Sequence, residues 1–142
     1  MSKPRAVLDT NVLVAAFRSR TGASFEIFRR LRLDEWRAVL SNHLTYEYEE
    51  VLKRDATALS LNKTDVDAIL NALCARGEEW PLTQNWDPIL PDPDDEPLVQ
   101  LAQESGALMI VTHNKRHLQP AGGLGIQVLK PMEFLCILRQ LK

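Results

Sequence analysis

Apolar positions along the chain switch repeatedly between short continuous runs and helical spacing. Arg5-Ala6-Val7-Leu8 is a run of the buried-strand type, and a helical turn follows Asp9-Thr10-Asn11 through Phe17. Ser24 is placed to cap a helix carrying Phe25, Phe28, Leu31 and Leu33. Arg37-Ala38-Val39-Leu40 reads as a second strand, and Ser41 caps a helix running to about Arg54. Thr64 and Asp67 have the spacing of a capping box for a further helix that Gly77 closes. Trp80 to Pro93 carries four prolines and two tryptophans, which predicts a loop-rich crossing with at most a short strand. Asp95 and Pro97 open a helix to Ser105, stopped by Gly106. Leu108-Met109-Ile110-Val111 and Ile126-Gln127-Val128-Leu129 read as strands, and Pro131 starts a terminal helix through Leu138. The apolar residues Phe134, Leu135, Ile137, Leu138 and Leu141 suit core packing or a dimer contact equally well.

Strands separated by helices predict an α/β fold: a single domain over residues 1–142, with a mainly parallel central sheet in a three-layer sandwich. No repeat or low-complexity linker divides the chain. Ligands of such sheets bind at the carboxyl ends of the strands. Asp9, Asp95 and the Thr112–Asn114 segment could therefore converge at one edge.

Composition changes this picture in two respects. The net charge of −2 does not announce a polyanion-binding protein, yet its distribution is uneven. Residues 1–37 balance at +4, residues 38–112 at −10 and residues 113–142 at +4, a pattern compatible with an anionic pocket rimmed by cationic surface. Cys74 and Cys136 have neither zinc nor disulfide-framework spacing and read as reduced core thiols. Asp9 and Asn11 interrupt the N-terminal apolar stretch in a way a secretory segment does not tolerate, and no apolar run reaches membrane-spanning length. The expected location is the cytoplasm.

Three acids stand out. Taking ~100° per residue from Leu44, Glu47 falls near −60°, at the margin of the face formed by Leu44, Tyr48 and Val51, whereas Glu49 and Glu50 point away. A carboxylate there is costly unless it meets an arginine or a metal. Asp9 ends a buried strand and is either a helix cap or a functional acid. In Asp92-Pro93-Asp94-Asp95-Glu96, one acid suffices to complement the helix dipole, and four are present. Converging carboxylates repel one another, and a hard divalent cation such as Mg²⁺ or Mn²⁺ relieves that repulsion while activating water against a phosphodiester.

The segments bearing these acids resemble the four motifs of the PIN domain family, in order, over about residues 6–118. Val7-Leu8-Asp9-Thr10-Asn11 is similar to the first motif, Ser41 to Tyr48 with Val51-Leu52-Lys53-Arg54 to the second, Asp92-Pro93-Asp94-Asp95 with Leu98 and Leu101-Ala102 to the third, and Ile110 to Arg116 to the fourth. The resemblance is greatest to the toxin branch of bacterial toxin-antitoxin systems. It implies an Mg²⁺- or Mn²⁺-dependent ribonuclease acting on RNA, held in check by an antitoxin protein and often dimeric. Asp9, Glu47 and Asp95 would be the metal ligands and, together with Asn114, the catalytic set, with Thr10, Asn11, Asp92 and Thr112 supporting them. The fourth motif often ends in aspartate, and this chain has Asn114, a neutral oxygen or water-positioning amide that would weaken a second ion. His117 stands where relatives often carry another acid.

Lys115 and Arg116 could hold a substrate phosphate, and Arg18, Arg20, Arg29, Arg30 and Arg32 could guide RNA, although such residues are more often solvated surface. His113 and His117 have zinc spacing but no third histidine besides His43. Two alternatives to a nuclease remain: a catalytically silent RNA- or protein-binding module, and a phosphatase using the strand-end aspartate as nucleophile.

Overall fold

The computed structural model describes residues 3–141. In chain order the elements are β1 (Arg5–Leu8), α1 (Thr10–Arg18), α2 (Ala23–Arg32), β2 (Arg37–Leu40), α3 (Asn42–Arg54), α4 (Lys63–Ala75), β3 (Gly77–Glu79), α5 (Glu96–Ser105), β4 (Met109–Val111), β5 (Gln127–Leu129) and α6 (Pro131–Arg139). A 3₁₀ turn, Pro93–Asp95, leads into α5, and a 3₁₀ segment, Lys115–Leu124, joins β4 to β5.

All strand pairings are parallel, in the order β3-β2-β1-β4-β5. Successive strand residues face opposite sides of a sheet, and Ala6, Val7, Leu8, Ala38, Val39, Leu40, Ile110 and Val111 are all buried. Both faces must therefore be covered, which makes the fold an α/β sandwich of three layers. α5 lies against β1, β2 and β4, while α2 packs with α1, α4 and α6.

The chain builds outward from β1 to β2 and β3, then crosses back to place β4 on the other side of β1. β1 and β4 are thus neighbours whose following segments diverge, and their carboxyl ends flank the crevice of a doubly wound sheet. Asp9 leaves β1 there, and its N–H donates to the carbonyl of Val111 at 2.9 Å.

Several local expectations are corrected. Gly22, not Ser24, is the N-cap of α2, and Ser24 lies buried one residue inside the helix. The capping box of α4 is Asn62 with Asp65 rather than Thr64 with Asp67. Both pairs have the required spacing, and the helix begins a half-turn earlier than the apolar pattern marks. Gly77 does not close α4: Arg76 is its C-cap, and Gly77 opens β3. That strand, Gly-Glu-Glu, has no apolar run because it pairs with β2 on one side only. Cys74 and Cys136 are free and exposed, not core thiols. Ser41 caps α3 by accepting from Leu44 N–H at 3.1 Å, and Gly106 terminates α5 in the left-handed region at φ 74°. Phe134, Leu135 and Leu138 of α6 face the core, where Phe134 meets Trp36 edge-to-face at 5.1 Å, and Leu141 stays exposed.

Gly77 is required by close approach rather than by conformation. A Cβ there would lie 2.5 Å from the Leu73 carbonyl, 2.7 Å from Leu40 Cδ1 and 2.9 Å from the Ala38 carbonyl. Two of these atoms are backbone of α4 and β2, so neither yields cheaply. Gly77→Ala is expected to destabilise the fold by about 1–3 kcal/mol, read as a lower urea midpoint with an unchanged slope.

Candidate functional site

At the carboxyl ends of β1 and β4, a cavity of about 120 Å³ is walled by Asp9, Glu47, Asp94 and Asp95. Leu44, Pro97 and Leu98 supply its apolar side, and His43 completes its rim. The four acids come from three places in the fold: the end of β1, the second turn of α3, and the 3₁₀ turn that enters α5. A far larger groove of about 810 Å³ lies between α2 and α4, with Phe28 and Ile69 in its wall and Arg20, Arg29, Arg32 and Arg76 around it. It gathers no converging acids, so size alone does not mark the chemistry here.

Structural duties do not account for the carboxylates in the cavity. Asp9 occupies the N-cap position of α1 without making a side-chain cap hydrogen bond, and Asp95 stands likewise before α5. Asp92 takes the capping role in the 3₁₀ turn by accepting from Asp94 N–H at 2.9 Å. Among the described residues, neither Asp9, Glu47 nor Asp95 forms an ion pair with lysine or arginine. The neighbouring Glu96, only 7% exposed, has a different task. It accepts from Trp86 Nε1 at 2.8 Å and from the Ile89 and Leu90 amides, pinning the proline-rich crossing to the start of α5.

Hydroxyl groups orient two of the acids. Fully buried Thr112 donates from Oγ1 to Asp9 Oδ2 at 2.8 Å and accepts from Asn114 N–H at 3.0 Å. Thr10, at the start of α1, donates to Glu47. Tyr48 donates from beneath to the Leu8 carbonyl, tying α3 to the strand that carries Asp9. Asn11 Oδ1 accepts from His113 N–H at 3.3 Å, fastening the β4 exit to α1.

Burial holds the Asp9 carboxyl above the usual aspartate range; the Thr112 hydrogen bond opposes this, and the charges of Asp95 and Glu47 reinforce it. Asp95 is also raised, first by burial and then by the charge of Asp92, with His117 pulling the other way and Asp94 and Glu47 adding to the rise. The Tyr48 phenol is pushed well above its ordinary value by burial, then by Asp9 and Glu47, and remains a donor. The acids thus feel one another through the cavity.

Among the described residues, no three acidic, histidine or cysteine side chains already stand together as a ready cation cluster. Thr112 and Thr10 each engage a carboxylate, and mutual repulsion favours separation around the wall. The donor set nevertheless suits a hard cation: oxygen ligands only, unneutralised charge, and space for an ion with a few waters at ~30 Å³ each. Asp9, Glu47, Asp94 and Asp95 are the residues that could hold it.

The other candidate residues fall outside that wall. Asn114 is exposed at the start of the 3₁₀ segment, Lys115 pairs with Glu133 at 3.0 Å, and Arg116 is exposed. Two lining residues were not singled out from sequence. His43 was identifiable, because it precedes Glu47 by four residues on one helix face. Asp94 is indistinguishable from its acidic neighbours by residue type, and the capping bond of Asp92 is what separates the two. His113 Nε2 lies 3.5 Å from Ser24 Oγ, on the α2 side of the β4 exit, and no zinc set forms around it among the described residues.

A family model described as PIN domain matches residues 5–116, most of the chain and all the elements that carry the cavity. No curated protein matches the chain. No helix among the described residues is long and apolar enough to cross a membrane.

The raised value of Asp9 has a definite consequence for stability. Its ionised form is disfavoured in the fold, so the penalty is absent below the unfolded value and complete above the folded one. Asp9→Asn, whose amide oxygen can still accept from Thr112, is expected to melt above wild type at pH 7 in EDTA. The difference should vanish near about pH 3.5, where both side chains are neutral. Circular-dichroism melts at the two pH values check this, and a variant melting below wild type at pH 7 would contradict it.

Proposed function

Because the chain belongs to the PIN domain family, whose members are generally nucleases that use divalent metal ions, we propose that it is an Mg²⁺- or Mn²⁺-dependent endoribonuclease. The observation supporting this reading is the set of acids in one cavity, unpaired by any lysine or arginine among the described residues, two of them raised partly by their neighbours' charges. Asp9, Glu47 and Asp95 are assigned as the metal ligands, with Asp94 as a further candidate. A divalent ion bound there supplies Lewis-acid polarisation of a phosphoryl oxygen during hydrolysis of an RNA phosphodiester.

The chain's own residues supply the positioning. Thr112 fixes the rotation of the Asp9 carboxylate, and Thr10 does the same for Glu47. Asn11 holds the β4 exit against α1 by accepting from the His113 amide, and the Asn114 amide donates to the Thr112 hydroxyl that orients Asp9. Leu44, Pro97 and Leu98 keep bulk water from one side of the cavity, which strengthens electrostatic interactions within it. Asn114 is assigned to this supporting frame, and Lys115 and Arg116 to substrate contact.

The finer assignment is the toxin of a toxin-antitoxin pair, cytoplasmic and homodimeric, with a cognate antitoxin protein as partner. Its support is the likeness of the four motifs to that branch. Co-purification with the product of an adjacent small reading frame, and loss of cleavage in that complex, would test it. A catalytically silent binding module is the second reading, favoured by the neutral, exposed Asn114 in place of an acid.

Mn²⁺-dependent cleavage of structured RNAs by wild type is the expected result, with Asp9→Asn and Asp95→Asn each reducing kcat at least about a hundredfold. Thr112→Val, which removes only the orienting hydroxyl, should cost about 10- to 100-fold. Mn²⁺ should also raise the melting temperature of wild type more than that of Asp9→Asn. Equal cleavage by wild type and Asp9→Asn, or no Mn²⁺ effect on either melt, would remove the metallonuclease reading.

A further inference from the structure

Hydrolysis of a phosphodiester has a requirement that ionised carboxylates cannot meet. A ribose oxygen is a poor leaving group as an alkoxide, and it needs a proton as its bond to phosphorus breaks. Carboxylates that hold a cation are deprotonated and have no proton to give. The hydroxyls beside them are already committed: Thr112 donates to Asp9, Thr10 to Glu47 and Tyr48 to the Leu8 carbonyl. Among the described residues, the cavity wall consists of four acids, the apolar Leu44, Pro97 and Leu98, and His43. His43 is therefore the one lining side chain with an N–H to offer, and imidazole is the side chain that exchanges its proton most readily near neutral pH.

Its setting leaves that N–H free. His43 is exposed and stands second in α3, one turn before Glu47 on the same face and about 6 Å from it along the helix axis. Among the described residues its ring is hydrogen-bonded to nothing and paired with none of the acids. The first turn of α3 contains no acidic residue, and the partial positive charge of a helix start makes this corner the least negative part of the wall. The other two histidines are placed differently. His113 lies against Ser24 on the α2 side, and His117 acts on Asp95 through space without reaching the wall.

We propose that His43 is the proton donor to the leaving oxygen of the phosphodiester, which in RNA is a ribose oxygen. The proposal deepens the endoribonuclease reading and rests on it for the identity of the substrate. As the attacking water's oxygen bonds to phosphorus, the bond from phosphorus to the leaving oxygen breaks and its electron pair stays on that oxygen, which takes the ring proton. The imidazole regains a proton from solvent and the water's own proton is released there, so the net change is hydrolysis.

The test compares wild type, His43→Gln and His117→Gln in Mn²⁺ on an RNA oligonucleotide, on diphenyl phosphate and on bis(p-nitrophenyl) phosphate. p-Nitrophenolate leaves without a proton, phenolate gains from one, and a ribose oxygen requires one. Glutamine continues the helix and keeps an N–H but cannot transfer its proton. Mn²⁺ affinity is measured alongside by electron paramagnetic resonance. His43→Gln is expected to lower kcat on RNA about 100- to 10,000-fold, to lower it less on diphenyl phosphate, and to stay within about threefold of wild type on bis(p-nitrophenyl) phosphate. Its Mn²⁺ affinity should remain within about twofold of wild type, and His117→Gln should show no dependence on leaving group. Unaltered RNA cleavage in His43→Gln, loss of Mn²⁺ affinity in place of leaving-group dependence, or the same dependence in His117→Gln would each overturn the assignment. A graded loss on the aryl diesters with no RNA cut by any form would uphold His43 and sink the endoribonuclease reading. RNA cleavage by wild type with equal loss on all three substrates in His43→Gln would do the reverse, and a wild type that cleaves no diester would sink both.

Discussion

Like charges forced into one small space set the terms for the residues around them. Asp9, Glu47, Asp94 and Asp95 line a cavity at the crevice between β1 and β4, and among the described residues no cation of the chain joins them. Such an arrangement costs stability, and it persists because the elements carrying the acids are fixed by apolar contacts on both sheet faces. Hydroxyls rather than ammonium or guanidinium groups restrain Asp9 and Glu47. A hydroxyl orients a carboxylate without neutralising it, so orientation and residual charge are both retained.

Acids a few residues apart do unrelated work. Asp92 caps a turn, Asp95 caps nothing, and Glu96 is buried beneath three donors from the preceding crossing. Sequence alone displays four acids within five consecutive positions. What separates them is direction: the turn sends Asp94 and Asp95 toward the cavity and turns Glu96 under the loop. The same crossing covers the start of α5, so the position of Asp95 and the course of a prolyl-rich segment are mechanically joined.

Much of this was legible in the chain because period carries so much of the information. β1, β2 and β4 announce themselves as unbroken apolar runs, since strands buried on both faces have no polar side to show. Ser41 and Gly106 mark helix ends through chemistry that depends on one residue alone. Asp9 and Glu47 could be singled out since each departs from its local apolar pattern, and Asp95 only through the likeness of its segment to the family's third motif. What stayed hidden depends on neighbours distant in sequence. β3 has no apolar run because it is an edge strand, and Gly77 is dictated by atoms of Ala38 and Leu73 rather than by its own turn. Asn62 and Thr64 offer equivalent caps, and only the packed position of α4 decides between them. The exposed placement of Cys74 and Cys136 follows from which helix face meets the core, which composition does not reveal.

The two outermost strands, β3 and β5, are only three residues long, and β3 carries Glu78 and Glu79. A parallel sheet that does not close leaves unsatisfied main-chain groups along both margins, and long flat margins recruit strands from other molecules. Here each margin is too short to template an intruding strand, and one of them is also negatively charged. Resistance to fibrillar self-association is therefore built into the periphery of the sheet, leaving its crowded, charge-rich interior crevice free to be shaped by other demands.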